Sequence, residues 1–257
     1  MRALYPDLKG RSALVTGASS GIGYGIAEAL LEQGMRVVLQ YKTHAQEARS
    51  LAARFPGAGF PFRASLSSEQ GCVDLARCAL QSLGKVDLVV HSAGIWNDGP
   101  IEQMTGELLE EMFRVNTFSA FYLLRELTPA LRPKGSVVLI GSTAGERGES
   151  RHSHYAASKG ALQSMMMSLA VELAPQIRVN LVSPGWVRTQ MAEAALQRMG
   201  TDLTSTLPNK RVAEVDDVVN AVLYLASDAS GQVLGQILSV SGGALLVMPR
   251  GQLKAIE

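Results

Sequence analysis

Short apolar segments alternate with longer segments of helical spacing along almost the entire chain. The apolar segments predict strands at residues 12–15, 36–40, 59–64, 86–90, 136–140, 178–182 and 236–240. Between them, the spacing of apolar residues predicts helices at 24–33, 45–55, 69–83, 105–131, 153–174, 190–209 and 213–227. Buried strands that alternate with helices are typical of a parallel sheet, so the pattern predicts a doubly wound α/β fold with helices on both faces.

The alternation continues without an internal repeat, a low-complexity segment or a linker. A chain of 257 residues is long enough to bury one large core. We therefore expect residues 1–257 to form a single domain, with a small helical substrate lid near residues 190–210.

Composition and charge exclude several classes of protein. The 24 basic and 23 acidic residues are scattered, which argues against a nucleic-acid partner. No apolar run approaches the roughly 18 residues of a membrane span, and the N-terminus lacks the apolar core of a signal peptide. Cys72 and Cys78 would lie ~9 Å apart along one helix, too far for a disulfide, so we expect reduced thiols in a cytoplasmic protein.

The first strand runs into a glycine-rich turn, Thr16–Gly23, and then into a helix. Glycines allow close backbone approach and a helix N-terminus attracts anions, so this arrangement favours phosphate binding over a merely structural turn. Lys42, Gly94, Ser142 and Pro184-Gly185 follow other strands at the same edge. Because ligands of doubly wound sheets bind outside the carboxyl ends of the strands, these residues predict one ligand site.

Tyr155 and Lys159 stand four residues apart in a predicted helix and therefore share one face of it. A free tyrosine has a pKa of about 10, and a neighbouring cation lowers that pKa because it favours the phenolate. The pair is a candidate general acid and base. Taken alone, such a pair is more typical of a surface helix contact, and it gains weight only from the motifs around it.

Together these motifs resemble those of the short-chain dehydrogenase/reductase family, over residues 9–243. Thr16–Gly23 is similar to the T-G-x-x-x-G-x-G turn of the family, Tyr155–Lys159 to its Y-x-x-x-K pair, and Pro184–Thr189 to its P-G-x-x-x-T segment. Asn116 and Ser142 stand where the family has its helix asparagine and its serine. The resemblance implies a Rossmann-type sheet and hydride transfer between a nicotinamide cofactor and a carbonyl or secondary alcohol.

The resemblance also implies a role for each residue of a catalytic set. Ser142 would hold the substrate oxygen, and Tyr155 would exchange its proton. Lys159 would lower the pKa of Tyr155 and bind the nicotinamide ribose, while Asn116 would keep a water beside Lys159. The cofactor-binding residues implied are Gly17, Ser19, Ser20, Gly21, Ile22, Gly23, Tyr41, Lys42, Ser65, Leu66, Ser92, Ala93, Gly94, Tyr155, Lys159, Pro184, Gly185, Val187 and Thr189.

Some positions depart from the family pattern. The N-N-A-G segment reads His91-Ser92-Ala93-Gly94, and the aspartate that meets the adenine is Ser65. The aspartate before the last glycine pair is Ser241. These changes concern cofactor positioning and the sheet rather than the chemistry, and they leave the adenine contact open.

The end of the second strand bears on the choice of cofactor. NAD-preferring members carry an acidic residue there, which binds the ribose and repels a 2′-phosphate; the matching residue is Tyr41. Lys42 follows it, where NADP-preferring members often carry a base. Ser20 argues the other way, because many NADP-binding relatives have arginine at that position. We expect NADP (NADPH), with NAD as the alternative.

Two substrate classes and one non-catalytic class remain open. We expect NADPH-dependent reduction of a 3-oxoacyl thioester or a similar ketone, with a sugar or polyol dehydrogenase as the alternative. A binding-only regulator is disfavoured because the catalytic set is complete. Specificity would lie in Ile95–Pro100, Glu146–His154 and the lid. An acyl-carrier partner would need basic residues at the entrance, for which the candidates are Arg132, Lys134 and Arg147.

The histidines and the longest helix complete the expectations. His152 and His154 could suggest a metal, but no cysteine or carboxylate cluster accompanies them, so we expect substrate-loop residues and no metal. His44 is expected at the surface. Residues 156–174 are apolar nearly all round, and Phe118–Leu124 and Ala244–Met248 offer further apolar surface. We therefore expect a homotetramer with two-fold axes, as the family resemblance also suggests.

Overall fold

The computed structural model describes residues 2–246, in which seven parallel strands form one sheet of order β3-β2-β1-β4-β5-β6-β7. The strands are β1 Ser12–Val15, β2 Arg36–Tyr41, β3 Gly59–Arg63, β4 Val86–His91, β5 Leu131–Ile140, β6 Ile177–Pro184 and β7 Ile237–Val240. The strand order reverses between β1 and β4. In doubly wound sheets a ligand binds at such a switch point, outside the carboxyl ends of the strands.

Helices cover both faces of the sheet, as the sequence pattern predicted. They are α1 Gly21–Glu32, α2 Ala45–Arg54, α3 Glu69–Leu83, α4 Gly106–Phe113, α5 Ser119–Leu127, α6 Ala144–Arg147, α7 Ser153–Leu173, α8 Glu193–Thr206 and α9 Val215–Ala226. Helices α1, α2 and α9 pack their apolar side chains on one face. Helices α3, α5 and α7 cover the other face. Burial from both sides explains why the central strands are apolar along their whole length.

The predicted helix at 105–131 is wrong as a single element. After α4 the chain widens into a π-helical turn, Arg114–Phe118, and continues as α5. Pro129 lies in a short 3-10 turn that ends the helical region, since proline cannot donate the hydrogen bond of a helix interior. Strand β5 therefore begins at Leu131, which pairs with Val86 of β4.

Helix α7 buries only part of its apolar surface. Leu162, Met165 and Met166 belong to the core, whereas Met167 is 50% exposed and Val171 is 81% exposed. Helix α8, in the segment predicted as a lid, is interrupted at Gly200, whose φ is 51°. Of the apolar tail, Val247 and Met248 lie outside the described residues. Among residues 2–246, no helix has both the length and the apolar character needed to cross a membrane.

Cys72 and Cys78 both lie on α3 and are free thiols. Cys72 is buried, and burial raises the pKa of its thiol to about 12. Burial also raises the pKa of Cys78. Because the thiolate is the reactive form, both side chains behave as packing residues of this helix.

Candidate active site

A cleft of about 450 Å³ opens at the carboxyl edge of the sheet. It collects most of the residues that the sequence predicted for the cofactor and the chemistry. The predicted residues lining it are Gly17, Ser20, Gly21, Ile22, Gly23, Ser92, Ala93, Gly94, Ser142, Tyr155, Lys159, Pro184, Gly185, Val187 and Thr189. The predicted residues outside its lining are Ser19, Tyr41, Lys42, Ser65, Leu66 and Asn116. One cleft thus joins the glycine-rich turn to the Tyr155–Lys159 pair.

The glycine-rich turn leaves no room for side chains. Gly17 has a φ of +67°, and a Cβ on Gly23 would lie 2.2 Å from the Gly17 carbonyl oxygen. The side-chain amide of Gln40 accepts a hydrogen bond from the Gly17 amide at 2.7 Å and donates to the Ala64 carbonyl at 2.8 Å. Gln40 therefore ties the turn to the ends of β2 and β3, a contact that no motif in the sequence indicates.

The first amides of α1 face this turn without a side-chain cap. Ser20 occupies the N-cap position, and its hydroxyl makes no capping hydrogen bond. The N-terminal amides of a helix then remain available to an anion, which the partial positive charge of the helix end also attracts. A close-packed glycine turn beside an uncapped helix suits the phosphates of a dinucleotide, so the residues present fit that group.

Asn116 lies inside the π-helical turn and is fully buried. Its side chain makes two hydrogen bonds to the Ile95 backbone. The Asn116 side-chain oxygen accepts from the Ile95 N–H at 2.8 Å, and the side-chain nitrogen donates to the Ile95 carbonyl at 3.0 Å. It also donates to the Ser158 hydroxyl at 3.1 Å. A Cβ on Gly94 would lie 3.3 Å from Asn116 Oδ1 and 3.4 Å from Lys159 Nζ, so both side chains border the same glycine.

Lys159 is buried beneath the cleft. Its ammonium donates to the Ile140 carbonyl at the end of β5, at 2.8 Å, and lies 5.9 Å from the centroid of the Tyr155 ring. Burial lowers the pKa of Lys159 to about 8, because removal from water penalises the charged form. The amine therefore changes its charge close to neutral pH.

The pKa of Tyr155 is shifted in the direction opposite to the sequence-based expectation. Burial raises it to about 12; the Ser142 hydroxyl, which is hydrogen-bonded to Tyr155, lowers it, and the charge of Glu149 adds to the rise. Removal of the phenol from water dominates this shift, and the Lys159 ammonium, 5.9 Å from the ring centroid, is not among its causes. Tyr155 is a protonated donor at neutral pH in this arrangement.

His91, which stands where the family has asparagine, is buried beside the catalytic set. Its Nε2 lies 2.7 Å from the Ser119 hydroxyl, and that hydroxyl donates to the Val115 carbonyl at 2.6 Å. The hydroxyl proton is thus in use, which makes His91 the donor to Ser119. Burial, reinforced by the charge of Lys159, lowers the pKa of His91 to about 3, so its ring is neutral. The contact links β4 to the π-helical turn that carries Asn116.

Both tryptophans of the chain line the outer part of the cleft, together with Arg147 and Glu149. The rings of Trp96 and Trp186 meet edge to face, with centroids 5.9 Å apart. The sequence pointed to Ile95–Pro100 and Glu146–His154 as specificity segments but did not indicate Trp186. The one available signal was its place inside the P-G-x-x-x-T segment.

The end of β2 forms a more open region. Tyr41 is buried, whereas Lys42 and His44 are exposed. Arg63, at the end of β3, donates to the Lys42 carbonyl at 3.3 Å, which places a second cation next to Lys42. His44 borders the cleft from the surface, where the sequence expected it.

The fold, the glycine-rich turn and the cleft define a nucleotide-dependent oxidoreductase of the doubly wound class. Residues 17–244 match the family model described as enoyl-(acyl carrier protein) reductase. The bovine L-xylulose reductase is 37% identical over 249 residues, covering 93% of this chain and 98% of that protein. The 3-oxoacyl-[acyl-carrier-protein] reductase of Escherichia coli is 31% identical over 244 residues, covering 94% of this chain and 100% of that protein.

A solved structure of a related protein has the same fold. A blue fluorescent protein from a metagenomic library, in complex with NADPH, superposes with a TM-score of 0.88 at 29% identity, covering 93% of this chain and 100% of that one. The chain belongs to the short-chain dehydrogenase/reductase family, and the resemblance drawn from its motifs is confirmed. It is an oxidoreductase of that family.

Proposed function

We propose that this protein is an NADPH-dependent carbonyl reductase that converts a ketone to a secondary alcohol. The observation that carries the proposal is the junction of the glycine-rich turn with Ser142, Tyr155 and Lys159 in one cleft. A bound reduced nicotinamide supplies a hydride to the carbonyl carbon. The alkoxide that results needs hydrogen-bond donors and a proton, both of which this cleft contains.

Each of the chain's own residues has a part in that chemistry. The Ser142 hydroxyl orients the carbonyl oxygen, and the Tyr155 phenol gives up its proton to it. Tyr155, whose pKa burial raises to about 12, carries its proton at neutral pH and can therefore donate it. The Lys159 ammonium stabilises the negative charge that remains on the phenol. Asn116 holds the Ile95 backbone in place and thereby fixes the loop that borders Lys159.

Charge at the end of β2 supports NADPH over NADH. Tyr41 stands where a carboxylate would repel a 2′-phosphate. Lys42 supplies a cation at the end of β2, and the Arg63 guanidinium, bonded to the Lys42 carbonyl, supplies a second one at the end of β3. The NADPH-bound relative agrees with this preference. The residues that would hold the phosphates lie in the glycine-rich turn and at the start of α1.

Two of the three basic residues considered for an acyl-carrier protein lie away from the entrance. Arg132 and Lys134 are in the first half of β5, at the amino edge of the sheet, where Arg132 pairs with Asp87 at 3.3 Å. The third, Arg147, borders the cleft. This finding weakens the carrier-bound thioester and favours the second candidate, a small sugar-like or other free ketone.

A substrate panel tests the proposed function. Full-length protein is mixed with NADPH and a series of ketones, aldehydes and keto sugars, and the loss of reduced nicotinamide absorbance is followed. We expect NADPH oxidation with at least one ketone and none in its absence. Failure of NADPH to bind in calorimetry would overturn the proposal.

We further propose that the protein is a homotetramer. Phe121 on α5 and Val171 on α7 are 50% and 81% exposed, and an apolar side chain on a helix is stabilised when a second copy covers it. We expect light scattering at micromolar concentration to give about four times the mass of the chain, and Val171→Glu to reduce that mass. A monomeric wild type would contradict the proposal.

A further inference from the structure

Trp96 and Trp186 form a corner of two perpendicular aromatic rings in the outer cleft. Trp96 follows the His91-Ser92-Ala93-Gly94 segment, whereas Trp186 follows β6. Their centroids lie 5.9 Å apart and the interplanar angle is 87°. Edge-to-face packing holds both indoles in place, and both side chains are half-buried and line the cleft, so together they form an apolar wall.

The Trp96 ring is fixed by contacts on several sides. The His152 ring stacks on it with an interplanar angle of 3° and a centroid distance of 4.5 Å. The indole nitrogen donates to Glu149 at 3.4 Å. These contacts set both the depth and the tilt of the ring, so the indole is not free to swing out of the cleft.

The loop that carries Trp96 is joined to the loop that carries His152. The Gly99 amide donates to the Arg151 carbonyl at 2.8 Å. The Arg151 guanidinium makes two hydrogen bonds to the Asp98 carboxylate, at 2.8 and 2.5 Å. The wall is therefore formed before a substrate arrives, and binding loses little free energy in ordering it.

A preformed flat wall discriminates by shape. A ring compound contacts an indole over one whole face and has few rotatable bonds to immobilise, whereas an open chain contacts it with few atoms and loses rotational freedom. Glu149 and the exposed Arg147 give this wall a polar rim, where ring substituents can form hydrogen bonds. The flat face favours rings over chains, and the polar rim favours substrates that carry hydroxyl groups.

We propose that Trp96 and Trp186 form a subsite for a ring that carries the reacting ketone. The inference rests on the proposed carbonyl reduction and names its substrate class. Two kinds of ring have the required chemistry: apolar carbocycles, which need only the indole face, and hydroxylated rings, which also use the polar rim. The experiment separates them.

The test compares cyclic and open-chain ketones with NADPH as reductant. Cyclohexanone and methyl butyl ketone have equal carbon numbers but differ in ring closure. A keto-inositol adds hydroxyl groups, and an acetoacetyl thioester represents linear acyl substrates. Because cyclohexanone accepts hydride more readily than an open-chain ketone, the preference due to the wall is the change in the ratio of the two kcat/KM values between wild type and Trp96→Leu. We expect that ratio to be about tenfold higher in the wild type, the value of one aromatic contact. A higher kcat/KM for the keto-inositol than for cyclohexanone assigns the site to hydroxylated rings, and a lower one to apolar carbocycles.

Three variants locate the selectivity. Trp96→Leu should lower the ratio of kcat/KM for cyclohexanone to that for methyl butyl ketone about tenfold. Trp96→Phe keeps a flat face and should retain most of that ratio. Met191→Ala also removes apolar surface from the cleft, but no flat face, and should lower the values for rings and chains alike. Calorimetric titration of cyclohexanone into the protein with oxidised cofactor measures the same preference without turnover.

The two proposals fail differently. If NADPH binds and ketones are reduced, but open chains equal or exceed rings in both kinetics and calorimetry, the ring subsite is wrong and carbonyl reduction stands. The ring subsite is equally wrong if Trp96→Leu lowers the values for rings and chains by the same factor. If NADPH does not bind, the proposed function itself is wrong.

Discussion

The two halves of the candidate site, a proposed catalytic half and a proposed adenosine half, hold their side chains in different ways. In the catalytic half, formed by Asn116, Ser142, Tyr155 and Lys159, the asparagine and the lysine are buried and each is held by named hydrogen bonds. In the adenosine half, formed by Tyr41–His44 and Arg63, both Lys42 and Arg63 are exposed, and Arg63 donates to the Lys42 backbone carbonyl.

The comparison shows that substituting a buried polar side chain has different consequences from substituting an exposed one. A buried polar group must satisfy its hydrogen bonds inside the protein, so substitution disturbs both the chemistry and the stability. An exposed cation is solvated in any case, and its removal changes the affinity for an anion with little effect on the fold. Single substitutions in the two halves can therefore separate these two behaviours.

The largest effect is expected in the catalytic half, from Tyr155→Phe. The phenylalanine ring keeps the packing and removes the proton donor, so turnover should fall by about 10²–10⁴-fold while NADPH still binds. Steady-state kinetics measure the first quantity and calorimetry the second. Lys159→Ala should lower turnover and also weaken the binding of NADPH. Near wild-type turnover in Tyr155→Phe would exclude the proposed acid.

In the adenosine half, Lys42→Ala should reduce kcat/KM for NADPH by about ten- to a hundredfold, because a hydrogen bond to a charged group contributes roughly 1.5–3 kcal/mol. The value for NADH should not change. Lys85→Ala is the matched control, since Lys85 is also exposed but lies at the start of β4, on the opposite edge of the sheet. A wild type that prefers NADH, or a Lys42→Ala variant that uses NADPH as well as the wild type does, would contradict the assignment.

A smaller effect is expected from pH. Lys159, with a pKa lowered to about 8, is charged below that pH and neutral above it. Its charge supports the proton transfer, so reductive kcat/KM should fall about tenfold per pH unit above about 8. Tyr155 and His91 do not change charge in this range, because their pKa values are about 12 and about 3. A profile that stays flat to about pH 10 would show that the charge of Lys159 is not needed.

The smallest effect is expected on protein stability, from the loss of the hydrogen bond between His91 and Ser119 beside the catalytic half. Ser119→Ala removes the partner of His91 and should destabilise the protein by about 1–3 kcal/mol, because a buried donor loses its acceptor. Ser168 makes the same kind of bond to the carbonyl four residues earlier, but on an exposed part of α7. Ser168→Ala should change stability by less than about 0.5 kcal/mol in urea unfolding. Equal losses of stability in Ser119→Ala and Ser168→Ala would contradict the expectation that a buried hydrogen bond contributes more than an exposed one.

Much of the fold followed from the alternation of apolar strands and amphipathic helices, because a sheet covered on both faces imposes that alternation directly. The prediction failed between 105 and 131, where apolar spacing continues through a π-helical turn and only Pro129 marks the end. Arg132 and Lys134 were considered as candidates for the entrance, but they precede the core of β5 and therefore lie at the opposite edge of the sheet.

The candidate site was predictable as far as it rests on short motifs. The direction of the Tyr155 pKa was not, because burial depends on packing from the whole chain. The Trp96–His152 stack joins residues on two different loops, and no local spacing indicates it. Local patterns thus locate the candidate site, whereas the aromatic corner that we propose as a substrate wall arises from tertiary contacts.

The placement of the tryptophans has a spectroscopic consequence. The chain contains only Trp96 and Trp186, and both border the same cleft. The intrinsic indole emission of the folded protein therefore reports on this cleft. The amino edge of the sheet and helix α3 contain no tryptophan and do not contribute to it. Because reduced nicotinamide absorbs where indoles emit, docking of the cofactor can be followed by energy transfer, without a label and without turnover.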